Sequence, residues 1–218
     1  MRFGVIGTGT VGRTLAAKLV SLGHQVTIGS RTKDNAAANE WADRSGPYGH
    51  AGTFAEAADF GEVVINATAG TVALSALRLA GAGPLAGKVL IDVSNPLVFS
   101  ATGEVSLDPV NTDSVAEQIQ REFPDARVVK ALNTVNADVM VDPARLPGTH
   151  NLFIAGEDPE AKAVVRALLV EFGWPSAAVL DLGGITAARG LEMLMPFWLD
   201  LMRHFGHVDF NYSITTAD

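Results

Sequence analysis

The run Phe3-Gly4-Val5-Ile6-Gly7-Thr8-Gly9-Thr10-Val11-Gly12 decides the fold. A short strand-like stretch leads directly into G-x-G-x-x-G. Val11, Leu15, Leu19 and Leu22 then recur at helical spacing, and Gly23 stands where a helix end takes a left-handed residue. On its own the glycine pattern is weak; between a strand and a helix, at the start of a βαβ unit, it is informative. Gly7 permits a tight turn, Gly9 lets the backbone approach a pyrophosphate, and Gly12 lets the helix pack closely on the strand. Free N–H groups around Thr10 and Val11 face the anion, assisted by the helix dipole. A glycine-rich turn without a ligand is the plain alternative.

Which dinucleotide fits is read at the end of the second strand, Gln25–Ile28. An Asp or Glu there accepts from a ribose 2′-hydroxyl and repels a 2′-phosphate. This chain has Gly29-Ser30-Arg31-Thr32-Lys33, with no acid before Asp34. Ser30 offers a hydroxyl, Arg31 a planar fork and Lys33 a point charge, which together suit NADP(H). An ordinary solvated turn is the competing reading.

The rhythm continues. Around His50–Ala51 a weak third strand is expected, and Val63–Asn66 and Val89–Asp92 are clearer ones, separated by a helix over Val72–Ala80. Ser114-Val115-Ala116-Glu117 has the form of a capping box, followed by a strand at Arg127–Ala131. Ser100–Thr112 is the most loop-like stretch. Leu152–Ala155 and Val179–Leu182 are further strands, and Asp158-Pro159 opens a helix between them. A longer helical pattern runs from about Thr186 to Phe205, where Pro196 is expected to kink or break it. Alternating strands and helices imply an α/β protein: a Rossmann-like, doubly wound, mainly parallel sheet with a C-terminal helical element. One domain is expected over residues 1–218, with residues 183–218 covering the active-site cleft.

Open α/β sheets present ligand contacts at the carboxyl ends of their strands. There the chain offers Asn66-Ala67-Thr68-Ala69-Gly70, Val93-Ser94-Asn95-Pro96 and Leu132-Asn133-Thr134-Val135-Asn136-Ala137. Ala67, Thr68, Ala69, Asn95 and Asn133 therefore join the candidate cofactor contacts, although polar turn chemistry explains each loop taken singly.

Composition narrows the partners. The 218 residues carry 16 Lys and Arg against 24 Asp and Glu, a formal net charge of −8, which argues against a nucleic-acid partner. Cysteine is absent, excluding disulfides, thiol catalysis and Cys-ligated metal. The chain opens on a strand without a signal peptide, and its apolar stretches fall short of the ~18 residues that suggest a membrane span. A cytoplasmic protein is expected.

Four blocks in order carry a family resemblance: Gly7–Gly12 with Gly29-Ser30-Arg31; Val-Val-Lys-Ala-Leu-Asn-Thr-Val at 128–135; Leu-Gly-Gly-Ile at 182–185; and Ala-Arg-Gly-Leu-Glu at 188–192. Over nearly its whole length the chain resembles the NADP oxidoreductase family typified by coenzyme F420-dependent NADP reductase. In that family hydride passes directly between the nicotinamide and a deazaflavin ring. The resemblance implies NADP contacts at Thr8, Thr10, Val11, Ser30, Arg31, Lys33 and Ala137, and a deazaflavin-side wall from Asn133 and the region around Thr186–Pro196. Where archaeal members carry His, this chain has Asn133, and Thr186-Ala187-Ala188 replaces a Ser-rich segment. Those departures bear on the second substrate, which is expected to be the deazaflavin coenzyme F420 or a flavin.

Catalytic side chains are sparse, as suits transfer between two planar rings. Lys130 and Asn133 are the candidates; Lys130 is either a proton donor or a structural charge. The spacing of His204 and His207 would allow them to share a helix face, but no third ligand is evident, so no metal site is expected. Two other functions stay open: NADPH-dependent reduction of a small imine or carbonyl compound, and a non-catalytic NADPH-sensing protein. The apolar C-terminal helix suggests a homodimer.

Overall fold

A computed structural model describes residues 1–217. Its strands are β1 (Arg2–Ile6), β2 (Gln25–Ser30), β3 (Gly49–Thr53), β4 (Val63–Asn66), β5 (Val89–Asp92), β6 (Leu97–Phe99), β7 (Val105–Leu107), β8 (Arg127–Ala131), β9 (Leu152–Ala155) and β10 (Val179–Asp181). Its helices are α1 (Thr10–Ser21), α2 (Ala36–Ser45), α3 (Phe54–Phe60), α4 (Gly70–Ala80), α5 (Ala82–Leu85), α6 (Val115–Glu122), α7 (Ala137–Val141), α8 (Pro159–Glu171) and α9 (Ala188–Phe205). Eight strands form one sheet in the order β10-β9-β8-β5-β4-β1-β2-β3. From β3 to β8 every neighbour is parallel; β9 pairs antiparallel with β8, and β10 parallel with β9. The Rossmann-like reading therefore holds, with one antiparallel step toward the β10 edge.

The central strands read as unbroken apolar runs because helices cover both faces. On one side Leu15, Ala16 and Leu19 of α1, Trp41 of α2, Val139 of α7 and Val165 and Leu169 of α8 pack over the sheet. On the other lie Phe54, Ala57 and Ala58 of α3, Leu77 of α4, Ile119 of α6 and Ala188 of α9. Gly4 is required here, since a Cβ would stand 2.0 Å from the Ala57 carbonyl oxygen. Sheet order reverses between β2 and β4 on the two sides of β1, so the loops leaving β1 and β4 open the crevice where such folds bind ligands.

Several expectations need correction. Ser100–Thr112 is not all loop: β7 pairs with β6 as a short antiparallel hairpin. Three-residue strands are too short to show an alternating pattern. Val179–Leu182 shortens to β10, an edge strand with Asp181 exposed. The Ser114 capping box forms only in part: Ser114 Oγ accepts the Glu117 N–H, but the Glu117 carboxylate turns to the Ser114 hydroxyl and to Arg189. Neither α2 nor α3 was anticipated. Asn35 caps α2, and Thr53 and Glu56 build a complete capping box on α3.

Pro196 does not break the last helix, which runs unbroken from Ala188 to Phe205. Proline tolerates helical φ; it forfeits the bond to the Glu192 carbonyl and crowds that oxygen, while burial of Leu191, Glu192 and Met195 holds the preceding turns in place. No helix among the described residues is long and apolar enough to cross a membrane.

Candidate cofactor and hydride-transfer site

Gly7 leaves β1 with φ +116°, and a Cβ there would lie 2.7 Å from the Ala67 carbonyl oxygen. A Cβ on Gly12 would stand 2.1 Å from the Gly7 oxygen, which is the close helix–turn packing expected of the third glycine. Gly9 differs: no protein atom lies within 4 Å of the Cβ position. It is the N-cap of α1 and gives no side-chain cap, so the first-turn N–H groups of Thr10, Val11 and Gly12 have no intrahelical partner. An empty space over uncapped donors fits a pyrophosphate. Arg13 Nη1 donates to the Thr8 carbonyl at 2.6 Å and braces the turn.

The Ser-Arg-Thr-Lys run divides its work. Ser30 is buried and its hydroxyl donates to the Thr32 carbonyl, curling the loop instead of reaching outward. Lys33 is ion-paired with Glu56 of α3. Arg31 is exposed and makes no ion pair among the described residues. Of the three candidates it alone presents an uncommitted cation.

Glu56 is held at about 2, chiefly by the hydrogen bond from Lys33 and then by the Thr53 N–H. Asp113 is likewise held at about 2, chiefly by Arg121. Both carboxyls ionise more readily folded than unfolded, where 4.5 and 3.8 are the ordinary values. Their contribution to stability is complete above about pH 5 and is lost as pH falls toward about 2. Thermal melts should therefore show a level Tm down to about pH 5 and a decline below it; a Tm unchanged to about pH 2 contradicts this.

The three small-residue loops do converge. Thr68 Oγ1 donates to Asn66 Oδ1 at 2.7 Å, and the Gly70 N–H to the Asn95 carbonyl at 3.0 Å. Asn95 and Asn133 bind reciprocally: Asn95 Nδ2 donates to the Asn133 carbonyl at 2.9 Å and Asn133 Nδ2 to Asn95 Oδ1 at 2.9 Å. Asn133 Nδ2 also donates to the Leu191 carbonyl of α9 at 3.0 Å. Two acceptors thus fix the orientation of this amide, and its Oδ1 is buried without a partner. An orphaned acceptor at the carboxyl edge of the sheet suits a ligand N–H. Ala67 and Ala69 lie in the β4–α4 loop, and Ala137 is the first residue of α7, whose cap is Asn136.

Below these loops lies a group that sequence reasoning missed as a unit. Asn66, Asp92 and Lys130 are lateral neighbours on β4, β5 and β8. Asn66 Nδ2 donates to Asp92 Oδ1 at 2.8 Å. Lys130 Nζ donates to Asp92 Oδ2 at 2.7 Å, to the Ser94 carbonyl at 2.6 Å and to Glu192 Oε1 of α9 at 2.8 Å. All three donors of the ammonium are engaged and its side chain is 0% exposed. Burial alone lowers the affinity of Lys130 for its proton, but Asp92 and Glu192 outweigh it and the net direction is upward. Glu192 is pushed up, first by burial. Lys130 thus lies inside a closed charged cluster, with every N–H of its ammonium already engaged. His204 and His207 do not share a helix face, because α9 ends at Phe205; their rings lie 5.0 and 5.8 Å from the Phe205 ring, centroid to centroid.

Residues 2–96 match the family model described as NADP oxidoreductase coenzyme F420-dependent. An F420-dependent NADP reductase of Methanothermobacter marburgensis is 31% identical over 214 residues, covering 92% of each chain. The metalloreductase STEAP3 of Rattus norvegicus is 32% identical over 90% of this chain, which spans only 38% of that longer relative. A crystal structure of a candidate F420-dependent NADP-reductase from Arthrobacter sp. FB24 superposes with a TM-score of 0.91 at 48% identity, covering 98% of this chain and 99% of the other.

Proposed function

Because this chain belongs to the family of coenzyme F420-dependent NADP oxidoreductases, we propose that it passes hydride between NADP(H) and a deazaflavin or flavin-like ring held beside the β4, β5 and β8 loops. The observation that carries this reading is the open cradle at Gly9 together with an Arg31 that makes no ion pair among the described residues, on an acidic chain. When bound, the nicotinamide supplies or accepts the hydride. The chain's own residues then bind and align: the first-turn N–H groups of α1 hold the pyrophosphate, Arg31 takes the 2′-phosphate, and Asn133 Oδ1 accepts from the ring end of a ligand. Alignment of two rings needs no acid or base in the transfer itself. Reduction of an imine or carbonyl normally wants a proton donor beside the nicotinamide, and the N–H groups of buried Lys130 are already engaged by Asp92, Ser94 and Glu192.

The test is stopped-flow oxidation of NADPH with the deazaflavin, with FMN and with FAD. Rapid oxidation by the deazaflavin is expected; silence with all three overturns the proposal. A smaller effect follows from the Lys33–Glu56 pair. Since Lys33 is already neutralised at the surface, Lys33→Ala should weaken NADPH by less than about fivefold, well short of the loss on removing Arg31. Equal losses for the two variants in a fluorescence titration would contradict the division of labour.

A further inference from the structure

We propose that Lys130 and Glu192 are positioning residues, a buried clasp that seats the first turns of α9 on the ends of β5 and β8 and so holds Asn133 in its working orientation. The inference rests on reading the adjacent cleft as the hydride-transfer site.

The clasp joins elements far apart in sequence. Lys130 is the penultimate residue of β8, and Asn133 lies in the loop that follows. Glu192 arrives from α9, and besides Lys130 it accepts the Val115 N–H at 2.9 Å and the Ala116 N–H at 3.3 Å. It therefore supplies the anion at the start of α6. One residue earlier, the Leu191 carbonyl receives Asn133 Nδ2. A shift of α9 must then move the acceptor that, with Asn95, decides which way the Asn133 amide faces.

Two further features support a positional role. Leu132, between Lys130 and Asn133, has φ +65°, a left-handed conformation that bulky residues rarely adopt and that persists only where the surroundings over-determine it. In addition, Arg189 pairs with Glu117 at 2.6 Å, so α9 is tethered to α6 at two points. A buried ion pair is seldom better for stability than well-packed apolar side chains, so its presence at this junction is better explained by the geometry it dictates.

The experiment uses the full chain with NADPH. Glu192→Gln is the main variant, since Lys130 remains paired with Asp92; Glu192→Asp is the conservative rescue. Both are first checked for cooperative melting, and a Glu192→Gln that does not fold is replaced by Glu192→Asp as the test variant. The expected result for Glu192→Gln is an NADPH Kd within about threefold of the parent, a kcat for acceptor reduction lowered by about tenfold or more, and altered emission of the bound nicotinamide, with Glu192→Asp falling between. A general loss of stability would not by itself separate kcat from NADPH binding in this way. Parent values of kcat, acceptor KM and bound-NADPH emission in the test variant overturn the clasp. If the parent protein reduces none of the three acceptors, the proposed function fails on its own. The clasp is then decided by bound-NADPH emission and by amide exchange of residues 188–205: changes in both support it, and parent behaviour in either overturns it.

Discussion

Replacing Arg31 by alanine should weaken NADPH binding by about 1.5–3 kcal/mol, on the order of ten- to a hundredfold in Kd, the range for a charge-assisted hydrogen bond. NADH binding should move by less than about twofold, because the group Arg31 recognises is absent from NADH. The asymmetry follows from the loop. Ser30 spends its proton on the Thr32 carbonyl and Lys33 is paired with Glu56, so neither can replace the missing guanidinium without breaking an existing contact. Glu56 sharpens the contrast: in the Arg31→Ala variant it remains as a carboxylate bound to Lys33 of the same loop. Parallel titrations of the two coenzymes check this. Equal losses for NADPH and NADH would mean that Arg31 supports the loop and not the phosphate.

Lys130→Ala should destabilise the fold by about 3–5 kcal/mol, the cost of leaving buried carboxylates uncompensated. Asp92 keeps Asn66 and Ser94 as donors, but Glu192 keeps only two backbone N–H groups, and the two carboxylates then share a dry space. For a chain of this length the loss corresponds to a Tm lower by roughly 6–20 °C. Lys130→Met with Glu192→Gln removes the stranded charge along with its partner and should recover part of the loss. Calorimetric or circular-dichroism melts distinguish these outcomes. A Lys130→Ala protein melting within about 2 °C of the parent would mean that water reaches this cluster and that it is not the sealed group described above.

The cofactor half of the site was legible because its signals are local. Gly7, Gly9 and Gly12 sit between a strand and a helix that announce themselves by periodicity, and a Cβ would clash at Gly7 and Gly12 while Gly9 faces open space. The loops after β4, β5 and β8 were legible by rule, since parallel strands end on one edge. What was not legible depends on distance along the chain. Lys130 and Glu192 are 62 positions apart, and nothing near either residue names the other. The Lys33–Glu56 pair was hidden likewise, because it needs β2 and β3 side by side before the two side chains can meet. Leu132 could not have been foreseen, since a left-handed position normally advertises itself with glycine or asparagine. Thr53-Phe54-Ala55-Glu56 is a different kind of miss: the capping box was present in the sequence, but its helix is only seven residues long and its apolar stripe is one large side chain and two alanines.

The central claim is that this chain selects the coenzyme bearing the extra phosphate. Isothermal calorimetry of the unmodified protein with NADPH and with NADH tests it most directly. NADPH should bind more tightly by about tenfold or more, with the difference shrinking as salt is raised because a surface guanidinium carries it. NADH binding of equal affinity at low salt would contradict the account.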